Sequence, residues 1–147
     1  MLIRTVSLLL GFLAMSVSAQ SADTPITPGG VLVFGGAGRA GAEIVKVLAA
    51  RGENVSVFVR PSTDRKRLAG LKVGYVTGDA MSAGDVTAAF TKTKPRTAIN
   101  AMSGQRNATG FWDVTQKNIT AAAKQSGAKQ VVFLSSVGVG DSAAAYS

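Results

Sequence analysis

From residue 31 onward, the apolar positions of the chain follow two alternating rhythms. Val31-Leu32-Val33-Phe34 is a run without a polar break, the pattern of a strand buried on both faces. Arg39 to Ala50 follows, with Ile44, Val47 and Leu48 at helical spacing and Gly52 just past the end. The same exchange then repeats. Val55 to Val59 predicts a second strand and Lys72 to Thr77 a third. Asp85 to Thr91 predicts a short helix with Asp85 as its N-cap, and Thr97 to Asn100 a fourth strand. Phe111 to Ser126 predicts a helix that presents Trp112, Thr115, Ile119, Ala122 and Ala123 along one side and stops at Gly127, and Val131 to Leu134 a fifth strand. Strands alternating with helices in this way require crossover connections and a parallel sheet covered on both faces. The expected fold class is therefore α/β, a doubly wound parallel sheet of about five strands.

Residues 1–30 stand outside that alternation. Met1 to Arg4 is a short positive start, Val6 to Val17 is apolar except for Ser7, Gly11 and Ser16, and Val17-Ser18-Ala19 offers small residues before polar Gln20. This layout predicts a secretory signal peptide over residues 1–19, cleaved after Ala19, and thus export to the periplasm or medium. No twin-Arg pair is present, so export would proceed unfolded. The apolar run is short of the roughly 20 residues of a full span, and an uncleaved membrane anchor is the competing reading. A start site placed too far upstream, with a cytoplasmic protein, is a third. Residues 20–30, rich in Pro, Thr and Gly, read as a linker, leaving 31–147 as the domain. The final Ala143-Ala144-Ala145-Tyr146-Ser147 offers no cap, strand or closing turn, so the domain is expected to be incomplete at its C-terminus.

Composition narrows the chemistry. At 147 residues there is room for one core, and 46% apolar with 16% charged residues is ordinary for a globular protein. The chain has neither Cys nor His, which excludes disulfides, thiolate metal sites, cysteine nucleophiles and Ser-His-Asp hydrolysis. A formal charge of +8 favours anionic partners. Aromatic residues make up only 6%, which argues against a single-strand stacking platform and ranks nucleic acid below a phosphorylated small molecule.

Between the first strand and the first helix lies Gly35-Gly36-Ala37-Gly38-Arg39-Ala40-Gly41. It satisfies Gly36-x-Gly38-x-x-Gly41 and also Gly35-x-x-Gly38-x-x-Gly41. Glycines at such a junction allow a sharp turn and a close backbone approach to a pyrophosphate, which the N–H groups and dipole of the following helix then hold. A bare turn with tight helix packing is the alternative, and the strand–loop–helix context weighs against it. The second strand ends in Val59-Arg60-Pro61-Ser62, with a cation where NAD-binding folds place an acid for the ribose 2′-OH. Arg60, with Arg39 in reach and Arg65, Lys66 and Arg67 in the next turn, can pair with a 2′-phosphate, so NADP(H) is expected over NAD(H). The charges of that next turn can equally be a solvated face.

Four segments, Val33 to Gly41, Val59-Arg60-Pro61, Val76-Thr77-Gly78-Asp79 and Leu134-Ser135-Ser136-Val137-Gly138, resemble in order the atypical short-chain dehydrogenase/reductases of NmrA-like and biliverdin-reductase-B-like type. Gly36-Ala37 in place of the commoner Ala-Thr is a mild departure. The resemblance implies a Rossmann-like NAD(P)H-binding domain in which Gly35, Ala37, Gly38, Arg39 and Ala40 line the pyrophosphate and adenine ribose. It implies that Arg60 faces the 2′-phosphate, with Arg65 as a second clamp, and that Asp79 accepts from the adenine amine, with the Ala80 backbone beside it. Ala101, Met102 and Ser103 would approach the nicotinamide end, and Asn118 matches a helix Asn near the active site. Ser136 resembles the family's serine, which positions the substrate carbonyl. Tyr146 lies too close to Ser136 for the usual catalytic spacing and is followed by no Lys. Three functions follow in order of expectation: an NADP(H)-dependent oxidoreductase of short-chain type acting on a small molecule, or a fragment of one; a non-catalytic NADP(H)-binding regulator; and a basic nucleic-acid-binding domain.

Overall fold

A computed structural model describes residues 23–103 and 110–135. The expected signal peptide (1–19), Ser136 and Tyr146 lie outside the described residues. The elements are β1 (Val31–Phe34), α1 (Arg39–Ala50), β2 (Val55–Val59), a 3₁₀ turn (Lys66–Leu68), β3 (Gly74–Thr77), α2 (Ala83–Thr93), β4 (Thr97–Asn100), α3 (Phe111–Ser126) and β5 (Gln130–Phe133). The five strands form one parallel sheet in the order β3-β2-β1-β4-β5. The doubly wound α/β expectation is borne out.

Alternation along the strands divides the core in two. Leu32, Phe34, Phe58, Val76 and Ala98 point to the side covered by α2 and α3, where they meet Val86, Phe90 and Ile119. Val31, Val33, Val55, Val57 and Val59 point to the other side, where they meet Ala42 and Val45 of α1 and Leu68 of the 3₁₀ turn. Phe34 is the centre of the first cluster, its ring 4.8 Å from that of Phe58 and 6.1 Å from that of Phe90. Every residue of β1 and β2 is buried, which is why β1 reads as an unbroken apolar run and β2 as one interrupted only by Ser56.

Local chemistry moved several boundaries. Helix α2 starts earlier than expected, because Ser82 is its N-cap and accepts from the Asp85 N–H at 3.2 Å. Asp85 sits in the first turn instead, and its carboxylate accepts from the Asp79 N–H at 2.8 Å. Strand β3 begins at Gly74, two residues late, since Val73 is tied back to the Leu71 carbonyl before the ladder starts. In α3 the buried side carries Phe111 and not Trp112, which is 48% exposed. In α1 the buried residues are Gly41, Ala42 and Val45, while Val47 is 50% exposed. Gly52 closes α1 as expected, with φ +76° and its N–H on the Ala49 carbonyl.

The described part of the expected linker packs onto the domain. Ile26 joins the α2/α3 side of the core and touches Gly74 of β3, where a Cβ would stand 2.9 Å from its Cγ1. The Gly29 N–H is bonded to the carbonyls of Thr93 and Lys94 at the end of α2.

Candidate functional site

The strand order reverses between β1 and β4, and the helices that follow these two strands, α1 and α3, lie on opposite faces of the sheet. Such a switch point opens a crevice beyond the carboxyl ends of the strands. A cleft of about 510 Å³ lies there. Its floor is Gly35, Ala37 and Gly38, one wall is Arg60 and Ser62 to Asp64 with Arg67, and the other is Asp79 to Met81. Ala101, Met102, Ser103 and Phe111 close the far end.

The glycine loop separates into residues fixed by protein packing and one that is not. A Cβ on Gly41 would stand 2.1 Å from the Gly35 carbonyl oxygen, so α1 could not begin so close to β1 with any larger residue. On Gly36 it would strike the Val57 side chain at 2.7 Å. Gly35, at φ +72°, would bring its Cβ to 2.6 Å from Met102. Gly38 differs: φ is −71° and a Cβ would meet only the Gly35 carbonyl oxygen, at 3.2 Å. Gly38 can therefore take a side chain with a shift of a few tenths of an ångström at the Gly35 carbonyl, and it lines the cleft. Gly38 is also the N-cap of α1, which has no side-chain cap and no acid in its first turn. The N–H groups of that turn are thus available to an anion. Arg39 and Ala40 are exposed at the same helix start, whereas Gly36 and Gly41 are buried in the turn.

Arg60 stands at a corner held from both directions. Its N–H donates to Thr63 Oγ1 at 3.0 Å and its carbonyl accepts the Thr63 N–H at 3.0 Å. Its side chain is in no ion pair among the described residues, and the same holds for Arg67. Asp64, the acid nearest this wall, is engaged locally: it accepts the Lys66 N–H at 2.9 Å and lies 4.0 Å from Lys66 Nζ.

Arg65, expected as the second clamp, is turned away from the cleft. Its guanidinium lies 4.3 Å over the Tyr75 ring and 3.6 Å from the Asp23 carboxylate. Burial pushes the Tyr75 phenol above its usual range, while the Arg65 charge pulls the other way. Arg67 lines the cleft in its place. Sequence alone does not choose between the two, because a single 3₁₀ turn points neighbouring residues in different directions.

On the opposite wall, Asp79 Oδ1 accepts the Met81 N–H at 2.9 Å. Among the described residues no donor is bonded to its second oxygen, Oδ2. At the far end, buried Asn100 accepts the Met102 N–H at 3.1 Å and so fixes the Ala101–Ser103 segment against Gly35. Sequence reasoning passed over Asn100 because a polar residue ending a strand looks like a turn residue. Asn118 reaches this wall from α3, with its amide on the Ala80 and Met81 carbonyls.

The NAD(P)H-binding family model matches residues 35–146. No curated protein matches the sequence. Among solved structures, the chain is similar to ChuY, an anaerobillin reductase from Escherichia coli O157:H7, at 27% identity and TM-score 0.65, over 82% of this chain and 56% of that one. It is also similar to the UDP-glucose 4-epimerase of Thermus thermophilus in complex with NAD, at 27% identity and TM-score 0.60, over 70% and 36%. A third likeness is to AtPrR2 with NADP+ and (+)pinoresinol, at 27% identity and TM-score 0.54, over 69% and 34%. The chain spans between 34% and 56% of the length of these three proteins. The expectation drawn from the four motifs, a Rossmann-like NAD(P)H-binding unit, is borne out.

Proposed function

The chain belongs to the NAD(P)H-binding family, and from that premise we propose that it prefers NADP(H) to NAD(H) and serves an oxidoreductase of short-chain type. The observation that carries the preference is Arg60: a corner-held cation at the end of β2, in no ion pair among the described residues, with Arg67 on the same wall. An acid at that strand end would accept from a ribose 2′-OH, whereas a guanidinium donates to a 2′-phosphate. Gly35, Ala37, Gly38 and the start of α1 hold the pyrophosphate in this reading. Asp79 and Ala80 receive the adenine, and Ala101 to Ser103 border the nicotinamide end. Ser136, just beyond β5, orients the substrate carbonyl.

Equilibrium binding of NADPH and NADH tests the proposal. NADPH binds more tightly, and Arg60→Asp removes or reverses the difference, by about 1–3 kcal/mol for one charge-assisted contact. Equal affinities in the parent protein would refute the preference.

Export is the second part of the reading. The pattern of residues 1–19 supports a cleaved signal. Expression in a bacterium then yields a mature chain starting at Gln20, which the mass of the purified protein checks. An intact Met1 on membrane-bound protein supports the anchor, and an intact Met1 on soluble cytoplasmic protein overturns export.

A further inference from the structure

The adenine wall is a short loop, Gly78 to Ser82, between β3 and α2. Most of its hydrogen bonds are local. Asp79 N–H donates to Asp85 of α2, Met81 N–H donates to Asp79 Oδ1, and Ser82 N–H donates to the Asp79 carbonyl. These three bonds stay between Asp79 and the first turn of α2, and the Gly78 N–H is bonded to the Val59 carbonyl of β2. Asn118 is different. From the middle of α3, its Nδ2 donates to the Ala80 carbonyl at 3.0 Å and to the Met81 carbonyl at 3.1 Å.

Two consecutive carbonyls aimed at one point cannot both be served by a strand ladder, in which successive carbonyls alternate in direction. A single NH2 group with two hydrogens satisfies both. Asn118 is half-buried beside the stripe of Thr115, Ile119 and Ala122 that seats α3, so its own position is set by the core. It thereby transmits the position of α3 to the backbone that follows Asp79. A carbonyl pair left without a donor at this depth would turn to find water, and Asp79 and Ala80 would turn with it.

We propose that Asn118 is a positioning residue for adenine recognition: its amide fork holds the Ala80 and Met81 carbonyls so that Asp79 is aimed at the exocyclic amine of the base. This differs from the active-site placement implied by the family resemblance, and it rests on the reading of Asp79 as the adenine acceptor. The residue acts through the loop and touches no reacting atom.

The test compares NADPH with its hypoxanthine analogue, in which a carbonyl oxygen replaces the exocyclic amine. The parent favours NADPH by about tenfold, the worth of one hydrogen bond to a charged acceptor. Asn118→Ala removes both donors and raises helix propensity, and Asn118→Asp keeps the shape while turning an acceptor toward two acceptors. In each variant that folds, the preference falls to about twofold or less. A merely structural role would weaken both ligands equally and leave the ratio at its parent value, and that result overturns the proposal. A parent that binds both ligands equally overturns it through Asp79. A parent that binds neither removes the reading of the cleft itself.

Discussion

To one side of β1, every residue of β2 is buried; two strands away on the other side, no residue of β5 is. The row Tyr75–Val57–Val33–Ile99–Val132 crosses the whole sheet on the α1 side. Along it, exposure rises from 0% at Val57 and Val33 to 39% at Val132. Leu134, on the same side of the same strand end, is 49% exposed. The β1–β2–β3 half therefore carries a closed core under the glycine loop, Arg60 and Asp79. The β4–β5 half carries Ala101 to Ser103, and among the described residues nothing buries the α1 side of β5. In the proposed reading, the groups for the adenine, its ribose and the pyrophosphate sit on the closed half and those for the nicotinamide and substrate on the other, with Asn118 of α3 bridging to the first, so cofactor binding can be tested without the reaction.

The largest expected effect separates packing from binding inside the glycine loop. Gly41→Val drives a branched side chain into the Gly35 carbonyl and pushes α1 off the sheet. A loss beyond about 4 kcal/mol is expected, with the circular dichroism signal collapsing at room temperature or the melting transition far lower. Gly38→Val asks the Gly35 carbonyl for a shift of only a few tenths of an ångström, and replacing a glycine N-cap by Val costs about 1 kcal/mol. Its melting transition stays near that of the parent while NADPH affinity falls about 100-fold or more, near 2.7 kcal/mol. If Gly38→Val binds NADPH as the parent does, the pyrophosphate does not sit on this loop.

That contrast also shows what could be read from residues alone. The glycine spacing and its place between a strand and a helix were visible in the sequence, because a Rossmann-like turn needs them at fixed offsets. That Gly38 lines the pyrophosphate was implied by the family resemblance, but the packing that fixes Gly36 and Gly41 was not visible, since all three are the same residue type with different neighbours across the sheet. Arg60 could be read for a similar reason: it closes a strand, so its direction follows from the strand's alternation. Arg65 and Arg67 could not be sorted, because Tyr75 and Asp23, which hold Arg65, come from separate segments. The buried sides of α1 and α3 differ from the sequence expectation by one or two residues. Val47 and Trp112 are apolar and correctly spaced, yet Val45 and Phe111 take the core, and only the sheet's position decides that. Asn118 carried no signal of its bonding, since its partners are main-chain carbonyls 37 and 38 residues away.

The smallest expected effect probes the open half directly. Val33 and Val132 lie on the same row and face, separated by β4. Thr has the shape of Val and a similar strand preference, so Val→Thr changes little except that a methyl becomes a hydroxyl. At Val33, fully buried between β2 and β4 under α1, the hydroxyl gains no partner among the apolar residues of that cluster, and the cost is about 1–3 kcal/mol. At Val132, water reaches the side chain and the cost is within about 0.5 kcal/mol. Urea unfolding of the two variants measures the difference as a shift in midpoint at constant slope. Equal losses at both positions would mean that the α1 side of β5 is covered in solution, and the contrast between the two halves of the sheet would fail.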